Sequence, residues 1–204
     1  TACNIMDLDL ISGGRAVLGL GSSAQSLTEG AFGSTYGKPL AHMREVIGLV
    51  RAIVAKGHTG ELGMLEGEYH KLDLTHFRTL SAPVRTEIPI YLPAVFQNAC
   101  EMAGEITDGL LGHPLWNAQW IRDVAMPALG RGLDKAGRPR SAITVNLQMF
   151  VAVNPDKREA IHDARANIAF YSQSPQYLRY FDGIGMGDPA RYTGGGAGFA
   201  GGHW

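Results

Sequence analysis

Between Asp7 and Ser23 the chain reads Asp-Leu-Asp-Leu-Ile-Ser-Gly-Gly-Arg-Ala-Val-Leu-Gly-Leu-Gly-Ser-Ser. A helix end, a tight turn, an uncharged strand-length run and a glycine-opened loop follow one another, the order of a βα unit. Ile5, Leu8 and Ile11 recur at helical spacing, and Ser12-Gly13-Gly14 lets a helix stop and the chain reverse. Residues 16–20 then form a short apolar run, as expected for a strand buried on both faces of a parallel sheet. Gly19, Gly21, Ser22 and Ser23 fall at its C-terminal end, where parallel α/β folds place their ligands. Backbone without side chains can lie there against a ring or a phosphate. The same glycines also suit a purely structural turn, because Gly-Leu-Gly lacks the third glycine of a dinucleotide fingerprint.

The alternation repeats downstream. Residues 38–56 carry Leu40, Met43, Val46, Ile47, Val50, Ile53 and Val54 on one helical stripe, with Gly57 just beyond and His42, Arg44 and Glu45 on the solvated side. Residues 61–72 read as a small β-hairpin. Residues 88–95 predict a second strand and residues 98–107 a second helix. Residues 109–112, a helix over 117–136, a strand over 143–153 and a helix over 156–170 complete the pattern. Four strands separated by helices predict one parallel sheet, with 16–20, 90–94, 109–112 and 144–151 as its members, half of what a closed barrel needs.

Composition narrows the function classes. The chain has 204 residues, 45% hydrophobic and 18% charged, enough to bury a sizeable core as one domain. A net charge of -1 gives no basic footprint for nucleic acid, and no apolar run is long enough to span a membrane. The expected ligand is therefore a small molecule and the expected location cytoplasmic. Cys3 and Cys100 sit far apart in apolar helical patterns and read as packing residues, and the seven histidines show no metal-ligand spacing, so no metal site is expected.

Several blocks carry a family resemblance. The run from Ser12 to Ser22 resembles a strand of the luciferase-like monooxygenase superfamily. In the same order follow Leu65-Glu66-Gly67-Glu68-Tyr69-His70-Lys71-Leu72, Pro89-Ile90-Tyr91-Leu92-Pro93-Ala94-Val95, Ala103-Gly104-Glu105-Ile106-Thr107-Asp108-Gly109-Leu110-Leu111, and Pro127-Ala128-Leu129 leading to Ala136-Gly137-Arg138. Ile168-Ala169-Phe170-Tyr171 followed by Ser174-Pro175-Gln176-Tyr177 is most similar to the oxidoreductases of that superfamily that use the deazaflavin coenzyme F420. The resemblance covers roughly residues 1–182 and implies an α/β fold, a partial (β/α) TIM-type barrel holding roughly strands 4 to 7 with their helices. Residues 1–192 would be that incomplete barrel domain, and the glycine-rich residues 193–204 a flexible end, so the expectation is an internal piece of a longer protein.

The resemblance also implies a chemistry. It points to an oxidoreductase that transfers hydride between coenzyme F420 and a small organic substrate, with FMN and a monooxygenase as the alternative, or a non-catalytic flavin-binding remnant. By resemblance, Gly21, Ser22 and Ser23 face the cofactor ring or its ribityl chain, with the two serines as hydroxyl donors or plain turn residues. Ala94, Val95, Phe96, Gln97 and Asn98 match the loop and helix start that hold the phosphate on backbone amides, unless they only cap a helix. This chain has Phe96 where many relatives have glycine, and Pro93 where they have alanine. The first bears on close backbone approach and the second removes an N–H. Dehydrogenase relatives place a carboxylate just beyond the first loop, where this chain reads Ala24-Gln25-Ser26. His113 is the histidine expected on the same rim, as a catalytic group that orients substrate or shuttles a proton, or as a structural residue. Trp116 and Trp120 read as apolar lining or packing. An open half-barrel leaves strand edges and an apolar interior uncovered, so the chain in isolation is expected to be aggregation-prone or oligomeric, and the full-length protein is expected to be a homo-oligomer.

Overall fold

A computed structural model describes residues 1–189. The glycine-rich end assigned to 193–204, and the last part of the domain drawn to 192, lie outside the described residues. In chain order the elements are α1 (Ala2–Ser12), β1 (Leu18–Gly19), α2 (Pro39–Lys56), β2 (Gly63–Glu66), β3 (Lys71–Leu74), β4 (Ile90–Ala94), α3 (Gln97–Ile106) and β5 (Gly109–Gly112). Then come α4 (Ala118–Trp120), α5 (Met126–Lys135), β6 (Thr144–Leu147), α6 (Lys157–Ser172) and α7 (Pro175–Gly183). The strands β1, β4, β5 and β6 form one parallel sheet in that order, and β2 and β3 make the expected antiparallel hairpin.

The sheet is covered on one face only, which corrects the expectation of strands buried on both sides. Ile90, Leu92, Ala94 and Leu110 point to the helices and are buried. They pack on Cys100, Met102 and Ala103 of α3, on Ala128, Leu129 and Leu133 of α5, and on Ile47, Val50 and Val54 of α2. The opposite face carries Gly19, Tyr91, Pro93, Leu111, Thr144 and Asn146, all half-buried or exposed, with Gly109 buried beneath the Tyr91 ring. Helices α3 and α5 meet closely because both are notched by glycine. A Cβ on Gly132 would lie 1.9 Å from the Glu101 carbonyl oxygen, and one on Gly104 would lie 2.4 Å from that of Leu129.

β1 is shorter than its apolar run. Leu18 and Leu20 donate to the carbonyls of Pro89 and Tyr91, at 2.9 and 3.0 Å. The next rung would run from the N–H of residue 93 to the Leu20 carbonyl, and residue 93 is proline. The ladder therefore stops at Gly19. β6 likewise ends at Leu147, not 151, and leaves Met149, Val151 and Val153 exposed. The helix drawn over 117–136 contains a wide turn at Ile121–Ala125, immediately before Pro127, whose missing N–H interrupts the regular hydrogen-bond ladder. Cys100 is buried as expected, but Cys3 is exposed.

Glu45 is not a solvated charge. Its carboxylate accepts from the backbone N–H groups of Tyr69 and His70, at 3.0 and 2.6 Å, and lies 2.7 Å from His70 Nδ1, fastening the hairpin to α2. No helix of the described residues is long and apolar enough to cross a membrane.

Candidate functional site

Parallel strands place all their C-terminal ends on one edge, so the loops after β1, β4 and β5 share a rim. Hydrogen bonds and contacts join them. A Cβ on Gly21 would lie 2.7 Å from Pro93 Cγ, so only glycine lets the first loop lie against β4. Both indole N–H groups of Trp116 and Trp120 donate to the Val95 carbonyl, at 3.0 and 3.1 Å, and tie the second loop to the third. These two tryptophans are packing residues with a positioning task.

The first loop is conformationally unusual. Ser23 has φ +60°, the only positive φ of a non-glycine among the described residues. Such a backbone costs about 1 kcal/mol or more and persists only when its surroundings hold it. Here the Tyr36 hydroxyl donates to the Ser23 carbonyl at 3.2 Å. Ser23 is exposed and Ser22 half-buried, so both hydroxyls can reach a ligand over the rim.

At the second loop, helix α3 starts without a side-chain cap. Its N-cap is Phe96, whose ring has no acceptor to offer the first amides. Ala99 and Cys100 donate back to the Phe96 carbonyl, at 3.1 and 3.2 Å. Gln97 and Asn98 head the helix with exposed side chains. Ala94 is buried toward the helices and can offer a ligand only its backbone, while the Val95 carbonyl is already used. The Phe96 ring packs edge-on against Trp120, with centroids 6.4 Å apart, and the Arg179 guanidinium lies 5.2 Å above it. Arg179, from α7, was not among the residues expected here. It stands a cation beside the positive end of a helix.

His113 follows β5 directly and is half-buried. Its Nδ1 accepts from the Leu115 N–H at 3.2 Å, which leaves the ring proton on Nε2. Burial pushes its pKa down to about 4, so the imidazole is neutral at pH 7. A neutral ring that donates from Nε2 suits orienting a substrate oxygen better than shuttling protons near neutrality. Around it stand Tyr171 of α6 and Tyr177 of α7, with ring centroids at 4.9 and 5.2 Å. Helix α7 was not expected from the sequence, and it is pinned to this loop by Tyr180. That hydroxyl donates to the Leu115 carbonyl and accepts from the Asn117 N–H.

A cavity of about 340 Å³ lies at the other end of the sheet, between α1, α2 and the starts of β1 and β4. Its walls are mostly apolar, including Ile5, Leu18, Val50, Val54, Ile88 and Ile90. Parallel sheets carry stabilising contacts at that end and ligands at the opposite one, so cavity size does not locate the site. Among the described residues no group of three or more His, Cys, Asp or Glu side chains could hold a metal ion.

The profile of the family described as luciferase-like monooxygenase matches residues 1–200. A protein of Mycobacterium tuberculosis described as uncharacterized is 36% identical over 188 residues, covering 89% of this chain and 55% of its own. An F420-dependent glucose-6-phosphate dehydrogenase of Nakamurella multipartita is 30% identical over 155 residues, covering 74% of this chain and 43% of its own. The chain thus spans about half the length of the curated relatives it matches. Among solved structures, the coenzyme F420-dependent tetrahydromethanopterin reductase of Methanopyrus kandleri superposes with a TM-score of 0.72 at 24% identity, over 94% of this chain and 61% of that one. That likeness establishes the fold as a luciferase-like α/β barrel type, of which the four parallel strands are part.

Proposed function

This chain belongs to the luciferase-like monooxygenase family, and we propose that within it the chain serves an oxidoreductase that binds coenzyme F420 across the C-terminal rim. The observation that carries this reading is the start of α3. A ten-residue helix is capped by a phenylalanine, which leaves its first amides without a side-chain acceptor, beside the cation of Arg179. Such a cradle fits a phosphate without a dedicated lysine. The loop of Gly21, Ser22 and Ser23 and the uncovered sheet face with Pro93 and Leu111 offer a flat, sparsely decorated surface for a ring.

When bound, F420 would supply a carbon that takes up or releases hydride. The residues of this chain would then bind, orient and shield. Gln97 and Asn98 amides hold the anion, Ser22 and Ser23 steer the ring edge, and His113 presents Nε2–H to an oxygen of a small organic substrate. The F420-dependent dehydrogenase from Nakamurella supports this cofactor over FMN, which offers the same phosphate to the same helix.

The test is fluorescence titration of the purified protein with F420 and with FMN separately, for the parent and for Asn98→Pro. Proline at 98 deletes one amide and pushes residue 97 out of helical geometry, so affinity for the bound cofactor should fall about tenfold. Circular dichroism checks that the variant is folded. Equal affinities for a folded variant and the parent would remove α3 from the site, and tighter binding of FMN than F420 would reassign the cofactor. Cofactor binding without turnover of any alcohol or carbonyl substrate would favour a non-catalytic relative.

A further inference from the structure

The rim has two chemically different halves. One, at α3, combines open amides with Arg179. The other, around His113, is built from neutral rings contributed by four segments of the chain. Tyr171 and Tyr177 meet edge-to-face at 4.8 Å, Phe150 leans on Tyr171 at 5.9 Å, and Phe170 meets Tyr171 at 5.3 Å. Phe170 remains 60% exposed and Phe150 37% exposed. The rings are contiguous and stand beside a polar donor, a combination that marks a binding surface.

Resting on the cofactor reading above, we propose that His113, Phe150, Phe170, Tyr171 and Tyr177 form a neutral aromatic platform that selects uncharged, planar carbonyl or alcohol substrates and rejects anionic ones. The ring faces carry a negative quadrupole, which attracts the positive edges of other rings and cations and repels carboxylate or phosphate. The donors present are uncharged. His113 donates from Nε2, with Nδ1 occupied by the Leu115 N–H. Tyr177 keeps its phenolic proton, since burial foremost, and then its Tyr171 and Tyr36 neighbours, raise its pKa. The Arg179 guanidinium lies over the Phe96 ring beside the phosphate cradle, and among the described residues no cation is stacked on His113, Phe150, Tyr171 or Tyr177. An anionic substrate would lose its hydration on the platform and find no counter-charge. The first loop agrees, because Ala24-Gln25-Ser26 offers neither a cation nor a carboxylate.

Equilibrium dialysis with 9-fluorenone and 9-fluorenone-2-carboxylate tests this, since the two share a ring system and differ by one fixed charge. Both are measured with and without saturating F420. The ketone should bind about tenfold more tightly than the carboxylate. Tyr171→Leu should weaken the ketone about tenfold while leaving F420 affinity unchanged. His113→Leu should also weaken it, and His113→Gln, which keeps an N–H donor, should recover most of the loss. Phe170→Ser, at an exposed position, repeats the test where folding is not at risk. Equal binding of ketone and carboxylate overturns the proposal, as does ketone binding indifferent to both Tyr171→Leu and Phe170→Ser. A change of oligomeric state in Phe170→Ser with ketone binding intact would make the patch an interface between copies and overturn it too. Failure of the parent to bind F420 strikes the cofactor reading alone, because the ketone arm without F420 still judges the platform.

Discussion

The two ends of the sheet use their polar side chains differently. At the N-terminal end three charged side chains are committed to the backbone. Asp108 accepts from Arg51 and from the Ile90 N–H, both at 2.9 Å, which fastens α2 to the start of β4. Arg138 donates to the carbonyls of Gly104, Thr107 and Ala142, closing the C-terminus of α3. Asp9, 1% exposed, accepts from Arg85 and from the Ala16 N–H and joins α1 to the approach to β1. At the C-terminal end the helix start is uncapped, Ser23 holds a left-handed backbone, and rings stand in solvent. A parallel sheet separates the contacts that hold it from the groups that act, and the difference is one of hydrogen bonds left open rather than of burial alone.

The largest expected effect tests that separation at its strongest anchor. Arg85→Met leaves the buried Asp9 carboxylate without its partner, whose guanidinium holds that carboxyl below the usual range. Stability should fall by about 3 kcal/mol, the low end for a broken buried pair because Arg85 itself is partly exposed. Asn98→Ala on the rim should cost no more than about 0.5 kcal/mol. Urea unfolding of both variants measures the contrast. Similar losses at the two ends would break the division drawn between them.

A smaller effect comes from the rim itself, through pH. His113 has a folded pKa of about 4, against about 6.5 in an unfolded chain. Below pH 6.5 the unfolded state takes a proton that the folded state refuses. Stability from this group is therefore full above 6.5 and declines as pH falls toward 4, by about 2 kcal/mol once partial solvent access is allowed for. Unfolding of the parent and His113→Gln at pH 7 and 4.5 isolates the contribution. The variant should lose less stability on acidification than the parent, and equal losses would place the ring in a more aqueous setting.

How far the sequence shows all this follows from where the information resides. β4 and β5 are legible because their apolar runs and the helices after them are local, and the structure keeps 90–94 and 109–112 within those bounds. β1 is overestimated because its length is set by its neighbour. Pro93 is plain to see, but that its missing N–H faces Leu20 depends on register. Helix α7 does have local signals, a Ser174-Pro175 start and Tyr177, Tyr180 and Phe181 at helical spacing. The contacts of His113 with Tyr171 and Tyr177 join residues about sixty positions apart, and no local pattern announces them. The same holds for Arg179 above Phe96.

Arg179 also supports the smallest and most pointed expectation. Its guanidinium is exposed, so its charge is screened and its stacking on Phe96 modest, about 0.5–1 kcal/mol. Arg179→Gln should therefore leave unfolding nearly unchanged. On the proposed reading its effect should appear in the affinity for F420, because there a cation and a helix N-terminus would act on the same phosphate. A loss of about threefold to fivefold at low salt is expected. Raising ionic strength to 1 M, where screening extends over only about 3 Å, should bring parent and variant together. In Asn98→Pro, by contrast, the loss should persist at high salt, since an amide that has been removed is not restored by screening. A salt-independent loss in Arg179→Gln would mean that the side chain acts by packing on Phe96. No loss at any salt would leave the amides of α3 as the sole anchor, and the uncommitted rim would then rest on backbone geometry rather than on charge.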